Sequence, residues 1–190
     1  MKKLFSLLVL VSIATASFAQ TTWHVVSVNS KLSFAATHLG IADVPGLFKT
    51  FDVTISTAKA DFSDAVFELS ADVASINTEV EMRDNHLKGP DFFDVEKFPK
   101  MIFKSTGIKK IGKNKYKLSG NLTLHGITKP ITMDLWYRGT TFDQVTKGDL
   151  AGFKLTGSLN RLDFGIGSKF PAAFISDTIQ IKADGEFQKK

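Results

Sequence analysis

The chain has 190 residues and no cysteine, which excludes disulfide bonds, thiolate metal sites, iron–sulfur clusters and a cysteine nucleophile. Tryptophan and tyrosine are scarce, with two of each against 17 phenylalanines, so most of the aromatic surface has no polar group and needs to be buried. A strong charge of one sign is also absent, because 24 Lys and Arg residues against 19 Asp and Glu residues leave a net charge of +5. This excess is too small to indicate a nucleic-acid-binding protein.

A long apolar run occurs only at the N-terminus. Two lysines precede the apolar run Leu4–Ile13, and the small residues Ala14–Ala19 end in a motif that fits cleavage before Gln20. The run is too short to span a membrane comfortably. We therefore expect residues 1–19 to be a secretory signal peptide that is cleaved near Ala19/Gln20, and residues 20–190 to form one domain that is periplasmic or secreted.

Most of the remaining chain alternates apolar and polar residues with a period of two, which is typical of β-strands with one dry and one wet face. In Phe51–Ser56, for example, three apolar residues alternate with Asp52, Thr54 and Ser56. Polar outer faces exclude an outer-membrane barrel. A sheet of about eight strands hides its edges completely by closing, so we expect a mainly all-β, antiparallel barrel with its apolar faces inward. At this size the interior is either filled by side chains or holds one small ligand.

One segment departs from this alternation. Thr78–Glu81 matches a capping box with threonine at the N-cap, helix-tolerant residues continue to Lys88, and a Gly-Pro pair then provides a stop. We therefore expect one helical insertion at about 78–95. The segment Leu87–Phe98 offers Leu87, Phe92 and Phe93 to the barrel mouth, where we predict a lid.

Motifs for catalysis and metal binding are missing. No two histidines have the spacing that would place them on one face of a strand or helix, and neither a nucleophile elbow nor an H-E-x-x-H motif is present. An alternative is an enzyme that acts on a hydrophobic substrate with His86 or His125 as general base, oriented by Asp84 or Asp163. A second alternative is a structural stress-response protein with a solid core.

Charged residues also occur among inward positions. Arg161 and Asp163 are in phase with the apolar residues of a late strand, where a charge is costly unless it is paired. Arg161 therefore pairs either with Asp163 or with a helix carboxylate such as Asp84, or else it contacts an anionic ligand head group. Arginine suits forked contacts to phosphate, so we count Arg161 among the candidate head-group contacts, with Arg83 and two histidines, His38 and His86.

Several motifs, in order along the chain, resemble the YceI-like family. They are Arg83-Asp84-Asn85-His86-Leu87, Asp91-Phe92-Phe93-Asp94, Phe98-Pro99, Gly120–Pro130 and Arg161-Leu162-Asp163-Phe164-Gly165. The R-D-x-H-L and L-T-x-H-G-x-T-K stretches are the most specific of these. The resemblance implies an elongated, lipocalin-like barrel that is exported, commonly dimerises and has no established enzymatic activity. It also implies a long apolar tunnel for polyisoprenoid or other lipid-like chains.

We therefore expect this chain to bind a long-chain polyisoprenoid or a similar lipid (a quinone, a polyprenyl phosphate or a fatty-acid derivative) for carriage, storage or sensing. We expect no catalytic residues, no metal, no nucleic acid, no membrane-spanning segment and no cofactor other than such a bound isoprenoid or quinone-like lipid; a homodimer is implied by the resemblance alone. The predicted apolar lining is Leu32, Phe34, Phe51, Val53, Phe67, Leu69, Leu87, Phe92, Phe93, Phe103, Leu122, Leu124, Met133, Leu135, Phe153 and Ile181.

Overall fold

The computed structural model describes residues 20–190, so the predicted signal peptide at residues 1–19 lies outside the described residues. The strands in this part of the chain are β1 (Thr21–Val25), β2 (Lys31–His38), β3 (Ala42–Phe48), β4 (Phe51–Thr57), β5 (Val66–Asp72), β6 (Ile76–Asn77), β7 (Lys100–Gly112), β8 (Lys115–Leu124), β9 (Ile127–Asp143), β10 (Gly148–Asn160) and β11 (Ile175–Lys189). Helix α1 (Glu81–Lys88) lies between β6 and β7, and 3₁₀ turns occupy Ser27–Asn29, Val73–Ser75 and Arg161–Phe164.

These strands form a closed barrel of eight antiparallel segments. Three of the segments each consist of two consecutive strands. β1 and β2 form one of them and β3 and β4 the segment beside it, since β1 pairs with β4 and β2 pairs with β3. β5 and β6 form the third, since β5 pairs with β4 and β6 pairs with β3. The ring closes where β1 pairs with β11, with Trp23 opposite Lys189. The predicted eight-stranded, all-β antiparallel barrel with one short helix is therefore confirmed.

The alternation of the sequence accounts for the inward and outward faces of the strands. In β8, for example, Tyr116, Leu118 and Leu122 are buried, whereas Lys115 and Lys117 are exposed. Because side chains of a strand alternate between the two faces, each apolar set faces the interior of the barrel and each polar set faces water. No helix within residues 20–190 is long and apolar enough to cross a membrane.

The two ends of the barrel are built differently. At one end, which we call the helix end, lie α1, the β2–β3 hairpin, the β8–β9 turn and the connection from β10 to β11. At the other, which we call the closed end, lie the β4–β5 connection and the β7–β8 and β9–β10 hairpins.

The predicted capping box is wrong. Helix α1 begins at Glu81, its N-cap is Val80, and no side chain caps it. The hydroxyl of Thr78 instead donates a hydrogen bond of 2.5 Å to the carboxylate of Asp84, which also accepts the Thr78 backbone N–H at 2.8 Å. The threonine is therefore tied to the middle of the helix, and the helix ends at Lys88 before Gly89, as the sequence predicts.

The predicted strand position of Arg161 and Asp163 is also wrong. β10 ends at Asn160, whose side chain accepts a hydrogen bond from the backbone N–H of Leu162 and so starts the 3₁₀ turn Arg161–Phe164. Gly165 ends this turn with a φ of 67°, a left-handed conformation that favours glycine. Arg161 is buried and Asp163 is exposed, so the two side chains do not share an inward face.

An apolar cavity in the helix half of the barrel

The closed end is filled by Phe62, which the β4–β5 connection inserts into the barrel. Its side chain is only 1% exposed. Its ring centroid lies 4.9 Å from that of Tyr137, 5.0 Å from that of Phe153 and 5.4 Å from that of Trp23. Phe62 has a φ of 58°, a conformation that costs a non-glycine residue on the order of 1–3 kcal/mol. Burial of the ring contributes a gain of about the same size, so packing holds the strained residue in place.

Polar contacts fasten this connection to the barrel rim. The hydroxyl of Tyr116 donates to the backbone carbonyl of Asp61, and Lys110 forms an ion pair of 2.8 Å with the Asp61 carboxylate. The hydrogen bond from Lys110, together with hydrogen bonds from Ser63, lowers the pKa of Asp61 from its ordinary 3.8 to about 2. Asp61 is therefore ionised at neutral pH and holds the loop that carries Phe62.

The other half of the barrel contains a cavity of about 410 Å³. Its floor is formed by Phe67, Leu118, Leu135, Phe153 and Phe187, which also belong to the packed cluster around Phe62. The volume falls within the range of about 300–1,000 Å³ that is usual for small-molecule sites. The interior is therefore solid at the closed end and hollow towards the helix end.

Glycines on neighbouring strands explain why large lining side chains leave this space free. A Cβ atom at Gly46 would lie 2.3 Å from the ring of Phe34, and one at Gly157 would lie 2.1 Å from the sulfur of Met133. A Cβ atom at Gly120 would lie 2.5 Å from the ring of Phe103. Each large side chain thus packs against the glycine backbone of the adjacent strand. It therefore lies at the wall of the barrel and leaves the axis free.

The sequence predicts sixteen apolar lining residues, and all sixteen border this cavity. They include Leu87, Phe92 and Phe93 of the predicted lid segment, so the helical insertion does pack over the interior. Phe92 stacks on Phe170 with a centroid distance of 4.9 Å, and Phe93 meets Phe48 edge to face at 6.0 Å. Contact of these residues with a ligand stays a prediction.

Several lining residues are missing from the predicted set. Val44 and Phe48 of β3 border the cavity, as do Met101 of β7 and Ile175 at the start of β11. The signal for β3 was present, since Val44, Gly46 and Phe48 alternate in the sequence, but Pro45 obscures the strand because proline is disfavoured in sheets.

Two of the polar residues that the sequence predicts as head-group contacts lie at the border of the cavity, and both have hydrogen-bond donors available. His38 is exposed, and Arg83 is half-buried; we call the part of the cavity that they border the mouth. Arg83 donates from Nε to the hydroxyl of Thr78 at 2.7 Å and from Nη2 to the Thr78 carbonyl at 2.8 Å. Its Nη1 has no hydrogen-bond partner within residues 20–190. Within the described residues, one nitrogen of the Arg83 guanidinium is therefore free at the mouth.

Arg161 borders the cavity as well, but its guanidinium is fully engaged. Only 3% of the residue is exposed. It donates to the backbone carbonyls of five residues and forms a 2.8 Å ion pair with Asp177, which is its partner in place of the predicted Asp163 or Asp84. The five carbonyls belong to Ile166, Gly167, Phe170, Ile175 and Ser176. Because a guanidinium has five N–H donors, no donor remains for a ligand, and Arg161 organises the β10–β11 connection.

The histidine–carboxylate pairs of the enzyme alternative are not assembled. His86 is exposed, is not a cavity-lining residue and meets the ring of Phe92 edge to face. Nδ1 of His125 donates to the carbonyl of Phe164 at 2.9 Å. Within residues 20–190, neither histidine is hydrogen-bonded to Asp84 or Asp163, and no group of three or more candidate ligands is arranged for a metal ion.

The model of the YceI-like domain matches residues 23–187. The chain belongs to the YceI-like family. A relative in this family, a UPF0312 protein of Pseudomonas savastanoi pv. phaseolicola, is 38% identical over 161 residues, which cover 84% of this chain and 81% of the relative.

Solved structures share the fold. A YceI protein from Campylobacter jejuni is 32% identical, with a TM-score of 0.74 over 81% of this chain and 90% of that one. A polyisoprenoid binding domain from Saccharophagus degradans is 14% identical, with a TM-score of 0.67 over 92% of this chain and 100% of that one. At this identity the second likeness concerns the fold alone.

Proposed function

We propose that this chain binds a long-chain polyisoprenoid or a similar lipid in the cavity, for carriage, storage or sensing, and that it does so without catalysis. The observation that carries the proposal is the cavity of about 410 Å³ lined almost wholly by apolar side chains inside a barrel with a polar outer face. The fold shared with a polyisoprenoid binding domain supports it.

The size of the hydrophobic effect indicates which feature of the ligand dominates affinity. Burial of about 500 Å² of apolar ligand surface gives a gross gain of roughly 12 kcal/mol at about 25 cal/mol per Å². Association costs of about 4–15 kcal/mol oppose it. Because each buried methylene adds about 0.8 kcal/mol, we expect affinity to rise steeply with chain length until the cavity is full.

The test is native mass spectrometry of the protein loaded with isoprenoid alcohols of increasing length, beginning with farnesol and geranylgeraniol. Ala36 lines the cavity, whereas its neighbour Ala35 is not a lining residue. We expect Ala36→Phe to reduce uptake of the longer alcohols because its ring occupies part of the cavity, and Ala35→Phe to leave uptake unchanged. Equal uptake by the two variants, or no uptake by the unaltered protein, would contradict the proposal.

We further propose that Arg83 contacts the polar head of the lipid at the mouth, since part of its guanidinium has no partner in the described chain. Geranylgeranyl phosphate should then bind more tightly than geranylgeraniol, by about tenfold, the size of one charge-assisted hydrogen bond. Arg83→Met should remove this preference and retain binding of the alcohol. If the preference persists in the variant, another residue holds the head group.

Export is part of the same proposal, on the basis of the N-terminal sequence pattern. We propose that the chain is cleaved near Ala19/Gln20 and acts in the periplasm or outside the cell. Intact-mass measurement of the protein recovered from the cell envelope and medium should give a chain that begins at Gln20. Recovery of the full-length chain from the cytoplasm alone would contradict this.

A further inference from the structure

A second surface, far from the cavity mouth, carries a concentration of positive charge. Residues 109–117 contain five lysines and no carboxylate, and they form the β7–β8 hairpin at the closed end. Lys110 and Lys117 are each paired with an aspartate, Asp61 and Asp134 respectively. The other three, Lys109, Lys113 and Lys115, form no ion pair within residues 20–190.

An exposed tryptophan lies beside this hairpin. Trp136 is 44% exposed, and the strand register places it directly between Lys115 of β8 and Lys154 of β10. The guanidinium carbon of Arg138 lies 5.4 Å from the centroid of the Trp136 ring. We define the Trp136 patch as Lys113, Lys115, Trp136, Arg138 and Lys154. Its cations have no ion-pair partner in the described chain.

Asp184 of β11 lies opposite Lys154 in the strand register, but it is ion-paired with Lys182 at 3.2 Å. Asp149 lies 3.6 Å from Lys189. Asp143 accepts hydrogen bonds from the Thr146 hydroxyl and from the backbone N–H groups of Val145 and Thr146 in the β9–β10 turn, and these hydrogen bonds lower its pKa. Asp184 and Asp149 are thus engaged with lysines outside the patch, whereas the four cations of the patch have no ion-pair partner in the described chain, so the patch attracts anions.

Large apolar side chains project at the same end. Ile111 is 52% exposed near the tip of the β7–β8 hairpin, and Phe142 and Val145 are 51% and 89% exposed at the adjacent β9–β10 hairpin. A nucleic acid would neutralise the lysines but would leave these apolar side chains in water. A bilayer accommodates both, because basic residues bind anionic head groups while tryptophan and apolar side chains enter the interfacial region.

We propose that the Trp136 patch and the two hairpin tips dock this protein on a bilayer that contains anionic phospholipid. Docking at the closed end leaves the helix end, with the mouth beside His38 and Arg83, facing away from that bilayer. The inference goes beyond lipid binding in the cavity and does not depend on it, because none of the residues of the patch lines the cavity.

The first experiment is co-sedimentation of the full mature chain with vesicles. We expect binding to vesicles of phosphatidylcholine mixed with phosphatidylglycerol, weakening as salt is raised, and little binding to phosphatidylcholine alone. Lys113→Glu with Lys115→Glu should weaken binding by about a thousandfold, since each reversed lysine loses an attraction and gains a repulsion. Lys49→Glu with Lys129→Glu changes the net charge equally at exposed positions outside the patch and serves as the control.

The second experiment uses tryptophan fluorescence. Trp23 is 6% exposed, so a change on vesicle binding reports Trp136. We expect a blue shift and quenching by dibrominated phosphatidylcholine included in the anionic vesicles, and neither effect in Trp136→Phe. Equal vesicle binding by the two double variants, or an unquenched Trp136, would overturn the proposal. Retention on heparin or RNA without vesicle binding would overturn it too, by assigning the patch to a soluble polyanion.

Discussion

Phe62 and Phe34 lie inside the same barrel, in surroundings that differ sharply. Phe62 is 1% exposed and touches three other aromatic rings at the closed end. Phe34 lies over the bare backbone of Gly46 and borders the cavity. One phenylalanine fills the axis of the barrel, and the other leaves it free.

The difference does not come from the strands, which alternate apolar and polar residues in both halves. It comes from a loop that inserts a side chain at one end and from inward glycines, Gly46, Gly120 and Gly157, that receive side chains along the wall in the other. An eight-stranded barrel permits a filled or a hollow interior, and here a single chain uses both.

Removing the ring of Phe62 should have the largest effect. We expect Phe62→Ala to lower the free energy of unfolding by about 3–5 kcal/mol, because a fully packed aromatic side chain leaves a cavity that neighbours fill only in part. Urea denaturation measures this. Phe62→Leu, which keeps most of the apolar volume, is the control and should cost clearly less. A loss below about 1 kcal/mol for Phe62→Ala would mean that the closed end is not solid.

The matching change in the hollow half should cost less. Phe34→Ala removes a side chain that already faces empty space on one side, so fewer contacts are lost, and we expect a loss of about 1–2 kcal/mol. The same variant should accept a bulkier isoprenoid in native mass spectrometry. If Phe34→Ala destabilises the protein as much as Phe62→Ala does, the two halves are equally packed and the comparison fails.

The smallest effect concerns the ion pair that holds the Phe62 loop. The pKa of Asp61 is lowered to about 2 from 3.8, so its contribution to stability is present above about pH 4 and is lost as the pH falls towards 2. Lys110→Gln should reduce this acid-dependent part, leaving the share that comes from Ser63, and lower the midpoint of thermal unfolding at pH 7 by about 2 °C or less, since exposed ion pairs are weak.

Lys109→Gln is the matched control for that measurement, because Lys109 lies next in the sequence and forms no ion pair in the described chain. Thermal unfolding followed by circular dichroism between pH 2 and pH 7 separates the two variants. Identical pH profiles would show that the Lys110–Asp61 contact does not hold the loop.

The barrel was predictable because its strands alternate strictly, and a mismatch of one residue would turn every apolar side chain to water. Two strands escaped the pattern for local reasons. Pro45 lies inside β3, and β7 is lysine-rich with two register shifts against β8. Some of their inward residues, among them Phe48 and Met101, were therefore missing from the predicted lining, although Phe103 of β7 was included.

The polar part of the site was less predictable, since it depends on where side chains find partners. Arg161 and Arg83 were equal candidates for a head-group contact in the sequence. Folding surrounds Arg161 with carbonyls of the β10–β11 connection and with Asp177, whereas the Arg83 side chain, within residues 20–190, is hydrogen-bonded to Thr78 alone. The hydrogen-bond partners of Arg161 lie 5 to 16 residues further along the chain, in an irregular connection. The sequence therefore contains no periodic pattern that would reveal these hydrogen bonds.

By itself, the order of apolar and polar residues determined that this chain closes into an antiparallel barrel with its phenylalanines inside, because burial requires each strand to turn one face from water. Whether those phenylalanines meet at the axis was decided only in three dimensions. The outcome depends on which backbone lies opposite each ring and on a loop that carries Phe62 inwards, and both follow from the pairing of segments distant in sequence.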